Sequence, residues 1–123
     1  MSFSETAVRL HDEKKYNCCQ SVICSACEHF GMDDATAYHL GAFFGAGMRC
    51  GEVCGCVSGA LMAIGLKHGD ENNRECNESK AFLRAFEEKY GSLICRELLK
   101  ANGKRICPEL IAFAANYLEE NVI

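Results

Sequence analysis

The chain has 123 residues, 49% of them hydrophobic and 24% charged, which suits one folded domain with an ordinary core and excludes disorder as the default. A formal net charge of −4 with no basic run speaks against nucleic acid or an anionic membrane surface as partner. There is neither a positive n-region followed by an apolar h-region nor an uninterrupted apolar run of the ~20 residues that a membrane span needs. A cytoplasmic location is therefore expected.

A single proline and the scarcity of β-branched runs predict an all-α fold, a compact single-domain bundle over residues 1–123. About five to six helices are expected around a central helix rich in small residues. The first is predicted over residues 4–16, with Phe3, Ala7 and Leu10 on one face behind serine caps. A second, over residues 18–30, places Val22, Ile23, Ala26, Cys27 and Phe30 on one side and stops at Gly31. Asp33 is the expected N-cap of a third helix that carries Tyr38, Leu40 and Phe43 towards Phe44.

A glycine-rich break over residues 45–51 follows. The central helix is predicted over residues 52–68, apolar nearly all round, with Gly55, Ser58, Gly59, Ala60 and Ala63 letting neighbouring backbones come close. It ends on Lys67 and His68, cations at the negative end of the helix dipole. Residues 70–77 read as a polar loop. Residues 78–90 repeat Phe82, Phe86 and Tyr90 at helical spacing, and Ser92 is placed to cap a short helix over residues 93–100. Cys107-Pro108 announces the last helix, to about residue 120, with proline at its first position.

Ten cysteines, at positions 18, 19, 24, 27, 50, 54, 56, 76, 95 and 107, are the outlier of this composition. Disulfide scaffolds are mostly smaller and secreted, whereas this chain can build a core, so reduced thiols with chemistry to perform are the better reading. Cys18, Cys54, Cys95 and Cys107 all fall at predicted helix N-termini. Free N–H groups and the positive end of the dipole favour the thiolate there. Residues 50–56 add a C-x3-C-x-C spacing flanked by glycine, where sulfurs can converge as soft metals and iron–sulfur clusters require. Cys24-x-x-Cys27 lies in mid-helix with no strand before it and reads as helix-face packing. Cys76, in the polar loop, reads as incidental, and His11, His29, His39 and His68 as surface or helix-terminal residues.

Asn17-Cys18-x-Gln20, Gly45-x-Gly47-Met48, Gly51-Glu52-x-Cys54-Gly55-x-x-x-Gly59, Gly91-Ser92-x-x-Cys95-x-Glu97-Leu98 and Cys107 follow one another along nearly the whole chain. In that order they resemble the C_GCAxxG_C_C family of redox-active proteins. The resemblance implies that Cys18, Cys54, Cys95 and Cys107 are the four defining cysteines, in a helical domain of prokaryotic cytoplasm with redox activity. Inside the motif Cys56 stands where the family has alanine, and Cys50 where a small residue is common.

Three functions follow as expectations. In the first, Cys18, Cys54, Cys95 and Cys107, supplemented by Cys50 or Cys56, bind an iron–sulfur cluster or a soft metal such as zinc, for electron transfer or redox sensing. In the second, Cys54 is the attacking thiolate of a thiol–disulfide oxidoreductase with a neighbour resolving. The third is a structural helical module whose cysteines only pack. No substrate pocket is legible, so the sequence assigns no enzyme activity. An unidentified redox partner is implied, and an exposed face of the central helix would support a homodimer.

Overall fold

The computed structural model describes residues 1–70 and 77–123. Among them the chain forms seven α-helices, more than the five to six expected: α1 Phe3–Lys14, α2 Cys18–Ala26, α3 Asp34–Gly41, α4 Gly55–His68, α5 Glu78–Tyr90, α6 Cys95–Asn102 and α7 Cys107–Tyr117. Each of the seven helical segments traced along the sequence forms a helix of its own, so the count exceeds the five to six expected for the bundle. The all-α class holds, and no described helix is long and apolar enough to cross a membrane.

Side-chain caps set three of the helix starts. Ser2 and Glu5 form a capping box on α1, Asn17 and Gln20 form another on α2, and the Asp33 carboxylate accepts from the N–H of Thr36 at the head of α3. The second helix is shorter than predicted. It tightens into a single turn at Cys27–Phe30 before Gly31 closes it. Asn17 also donates 3.1 Å bonds to the carbonyls of Gly41 and Ala42, and Gln20 donates at 3.0 Å to the carbonyl of Tyr38. Those bonds tie the start of α2 to the end of α3 and satisfy the buried Gln20 amide.

α4 begins three residues later than the apolar pattern suggested. Residues 52–54 are drawn instead into a short antiparallel bridge in which Val53 pairs with Ile94. The Cys54 N–H donates to the Leu93 carbonyl at 2.8 Å and the Cys95 N–H to the Glu52 carbonyl at 2.6 Å. Ser92 likewise is not the N-cap of α6, which is Ile94. The Ser92 hydroxyl accepts from the Ile94 N–H and donates to Glu97.

The centre of the molecule is shared. α4 packs on α2, α5 and α7, and α2 is itself packed against α1, α3, α4 and α7, with every residue from Cys19 to Cys24 buried. Small residues on α4 permit this: a Cβ on Gly59 would stand 2.8 Å from the Cys19 carbonyl oxygen, and one on Gly55 3.0 Å from the Cys18 Cβ. On the far side, Phe82 and Phe86 of α5 interlock edge to face with Tyr117 and Phe113 of α7. The C-terminal turn beyond α7 is held by Lys67, which donates to the Val122 carbonyl, and by Glu119, which accepts from the Phe3 N–H at 2.9 Å.

Candidate functional site

Four backbone devices bring the sulfurs together. The Asn17–Gln20 box fixes the first turn of α2, where Cys18 is the first helical residue. Close packing of Gly55 and Gly59 on α2 brings Cys54, the N-cap of α4, beside it. The 53–94 bridge aligns Cys95, first residue of α6, with Cys54. Cys107, first residue of α7, arrives behind a single 3-10 turn at Lys104–Ile106, and Pro108 takes the second helical position, one later than expected. Gly47 locks the arrangement from outside. Its φ is +63° and a Cβ there would meet the Cys95 Cβ and the Glu52 backbone at 2.6 Å, so only glycine fits.

The sulfurs interact. Thiols of Cys107 and Cys56 both donate to the Cys18 sulfur, the Cys107 bond being the stronger influence, and hold Cys18 down at about 3 against an ordinary thiol value of 9.0. The Cys56 thiol also donates to Cys54, whose pKa is lowered, with the N–H groups of Cys56 and Val57 adding to the effect. Cys56 itself, fully buried, is pushed far up by burial and by its role as donor to Cys18 and Cys54. Cys107 is pushed up by its bond to Cys18, then by burial and the negative charge of its neighbours. Cys95 rises through burial and the charges of Cys54 and Cys18.

Cys18 and Cys54 are lowered chiefly by neighbouring thiols, with backbone N–H groups a smaller influence, while Cys95 and Cys107, also at helix starts, are raised. Like charges crowded into one pocket cannot all ionise, so the positions ionised first keep the others protonated. The result is one thiol, Cys18, strongly favoured as the thiolate and a second, Cys54, lowered beside it, among neighbours that are pushed up.

The remaining cysteines sort by environment. Cys50 is exposed, and its thiol donates at 3.6 Å to the Gly47 carbonyl within its own loop, not into the cluster. Burial pushes Cys19 and Cys24 up to about 12, and Cys27 turns its thiol to the Cys24 carbonyl, so the C-x-x-C pair sits protonated in the core. Cys76 lies outside the described residues. One contributor escaped the sequence reading: His11 of α1, which when protonated further favours the Cys18 thiolate. Nothing in its local sequence signals this, because the electrostatic influence acts between helices across a loop. Cys56 was legible only as an extra thiol near Cys54, and its contact with Cys18 comes from the α2–α4 packing.

The cluster offers soft, partly ionised donors, the right chemistry for zinc or an iron–sulfur cluster. Its geometry is different: among the described residues no group of three or more His, Cys, Asp or Glu side chains is arranged to hold a metal ion.

The model of a family described as "Putative redox-active protein (C_GCAxxG_C_C)" matches residues 16–121. No curated protein and no solved structure matches the chain.

Proposed function

Since the chain belongs to the C_GCAxxG_C_C family, we propose that it is a thiol–disulfide redox protein with Cys18 as attacking thiolate and Cys107 as the thiol that resolves it. The observation that carries this reading is the convergence of Cys18 and Cys107, the first residues of α2 and α7, whose thiols influence each other strongly, Cys107 favouring the thiolate at Cys18. The Cys18 thiolate attacks one sulfur of an oxidised partner's disulfide, forming a mixed disulfide and releasing the partner's other sulfur as a thiolate. Cys107 passes its proton to that thiolate and attacks the Cys18 sulfur. A Cys18–Cys107 disulfide forms, the Cys18–partner bond breaks, and the partner leaves with two electrons and, from solvent, its second proton. Cys54, the attacking thiolate expected from the sequence, is 4% exposed, whereas Cys18 and Cys107 are both partly open to solvent. Cys54 and Cys56 then supply a second, internal dithiol behind the first.

A second reading keeps the metal. Cys54 and Cys18 repel each other as thiolates in one pocket, and a soft cation or an iron–sulfur cluster would relieve that charge with Cys18, Cys54, Cys95 and Cys107 as ligands. It requires the side chains to rearrange from the arrangement described above.

One preparation tests both. The protein is purified anaerobically, analysed for metal and acid-labile sulfide, then oxidised with one equivalent of a small disulfide and peptide-mapped. A metal-free protein with a reversible Cys18–Cys107 disulfide is expected. Stoichiometric iron with sulfide, or zinc, would hand the cluster to the metal reading, and a disulfide confined to other cysteines would sink the assignment of Cys18 and Cys107.

A further inference from the structure

The net charge of −4 conceals a local reversal. Between Cys95 and Cys107 stand four cations, Arg96, Lys100, Lys104 and Arg105, against the one carboxylate of Glu97. The remainder of the chain has nine cations against sixteen carboxylates, a balance of −7. The only strongly positive stretch of the sequence is therefore bracketed by two cysteines of the cluster.

All four cations are exposed. Arg96 is engaged, donating to the Glu52 carboxylate at 3.0 Å and the Gly51 carbonyl at 3.2 Å. Lys100, Lys104 and Arg105 have no hydrogen bond or ion pair among the described residues. Two nearby carboxylates are already occupied, Glu52 by Arg96 and Glu97 by the Ser92 hydroxyl. α6 spans about 12 Å, and the uncompensated cations continue past its end, so a small dianion cannot touch them together. Three free cations are also too few for nucleic acid, whose binders neutralise roughly 6–10 phosphates.

We propose that residues 95–107 form a docking surface for the carboxylate-rich face of a partner protein, steering the partner's disulfide onto the cluster. The proposal rests on the thiol–disulfide reading above. Opposite charge on partner and site raises the encounter rate, by about 10- to 1000-fold in favourable cases, and the effect is screened by salt.

The test uses the full chain carrying Cys50→Ser and Cys76→Ser, so that thiols outside the cluster do not report. Two ten-residue peptides, one rich in glutamate and one in serine, each carry a single cysteine activated as a thiopyridyl disulfide, and thiopyridone release is followed by stopped flow. At low salt the acidic peptide should react at least about tenfold faster, with the advantage gone near 0.5 M salt. In Lys100→Glu/Lys104→Glu/Arg105→Glu the preference should vanish or invert while the serine peptide keeps its rate, which shows that the variant is folded. Equal rates for both peptides overturn the docking surface and leave the thiol centre standing. An unreactive protein sinks the thiol reading itself, and the docking surface with it. An equal preference for a small dianionic disulfide over a neutral one, with no further gain from the acidic peptide, overturns the protein partner. So does tighter binding of duplex DNA at the same three residues.

Discussion

Cys18 is the most acidic thiol of the cluster because two thiols donate to it, at a helix start whose N–H groups add to the effect. Its folded value is about 3 and its ordinary value 9.0. A depressed thiol stabilises the fold fully above the ordinary value, and that contribution fades as pH falls towards the folded one. Cys107 works the other way. Its value is raised, so its contribution is complete below 9.0 and is lost as pH climbs through the raised value. The melting temperature of the reduced protein should therefore exceed that of Cys18→Ser near pH 9, with the difference shrinking steadily towards pH 4. A gap that does not change with pH would show that Cys18 is not the thiolate. Cys107→Ala removes the larger of the two donors, so the ultraviolet thiolate band of Cys18 should titrate at higher pH than in the parent protein. His11→Gln should move it in the same direction by less, since His11 ranks below both thiols as an influence.

At the scale of elements, the α2–α4 contact decides how close Cys18 and Cys54 come. Gly59→Ala would force its new methyl within 2.8 Å of the Cys19 carbonyl oxygen, a backbone atom that cannot turn aside. A loss of ~1–3 kcal/mol is expected in chemical denaturation, together with slower reaction of the cluster thiols as α4 moves off α2. Gly65, on the same helix, has nothing within 4 Å of its would-be Cβ. Gly65→Ala should instead stabilise by ~0.5–1 kcal/mol, because a mid-helix glycine gives up more backbone freedom than alanine. If both substitutions had the same sign, the close approach at Gly59 would not be what limits the packing. The loop before α4 is strained in its own right: Ala46, Met48 and Arg49 are non-glycine residues at φ of 54°, 62° and 63°. That conformation turns Gly47 against Cys95 and leads the chain into the 53–94 bridge.

For the whole molecule, stability and the cluster draw on overlapping elements. α5 contributes no cysteine to the cluster, yet its Phe82 and Phe86 are fully buried against α7, the helix that begins with Cys107. Phe86→Ala should cost ~3–5 kcal/mol in denaturant unfolding. If it costs less than about 1 kcal/mol, the α5–α7 aromatic packing is not a principal support of the fold.

The sequence by itself determined the helical class, most helix starts and the placing of Cys18, Cys95 and Cys107 at or beside those starts, because caps, proline at a first turn and apolar spacing act over three or four residues. It misplaced the start of α4, since nothing in residues 52–54 announces a bridge to a strand-like residue some forty positions on. Only the tertiary structure decided which thiols ionise, that Cys56 joins them and that Cys50 does not. Those outcomes depend on sulfur–sulfur contacts between helices far apart in the chain, and one thiolate in a shared pocket sets the charge its neighbours can carry.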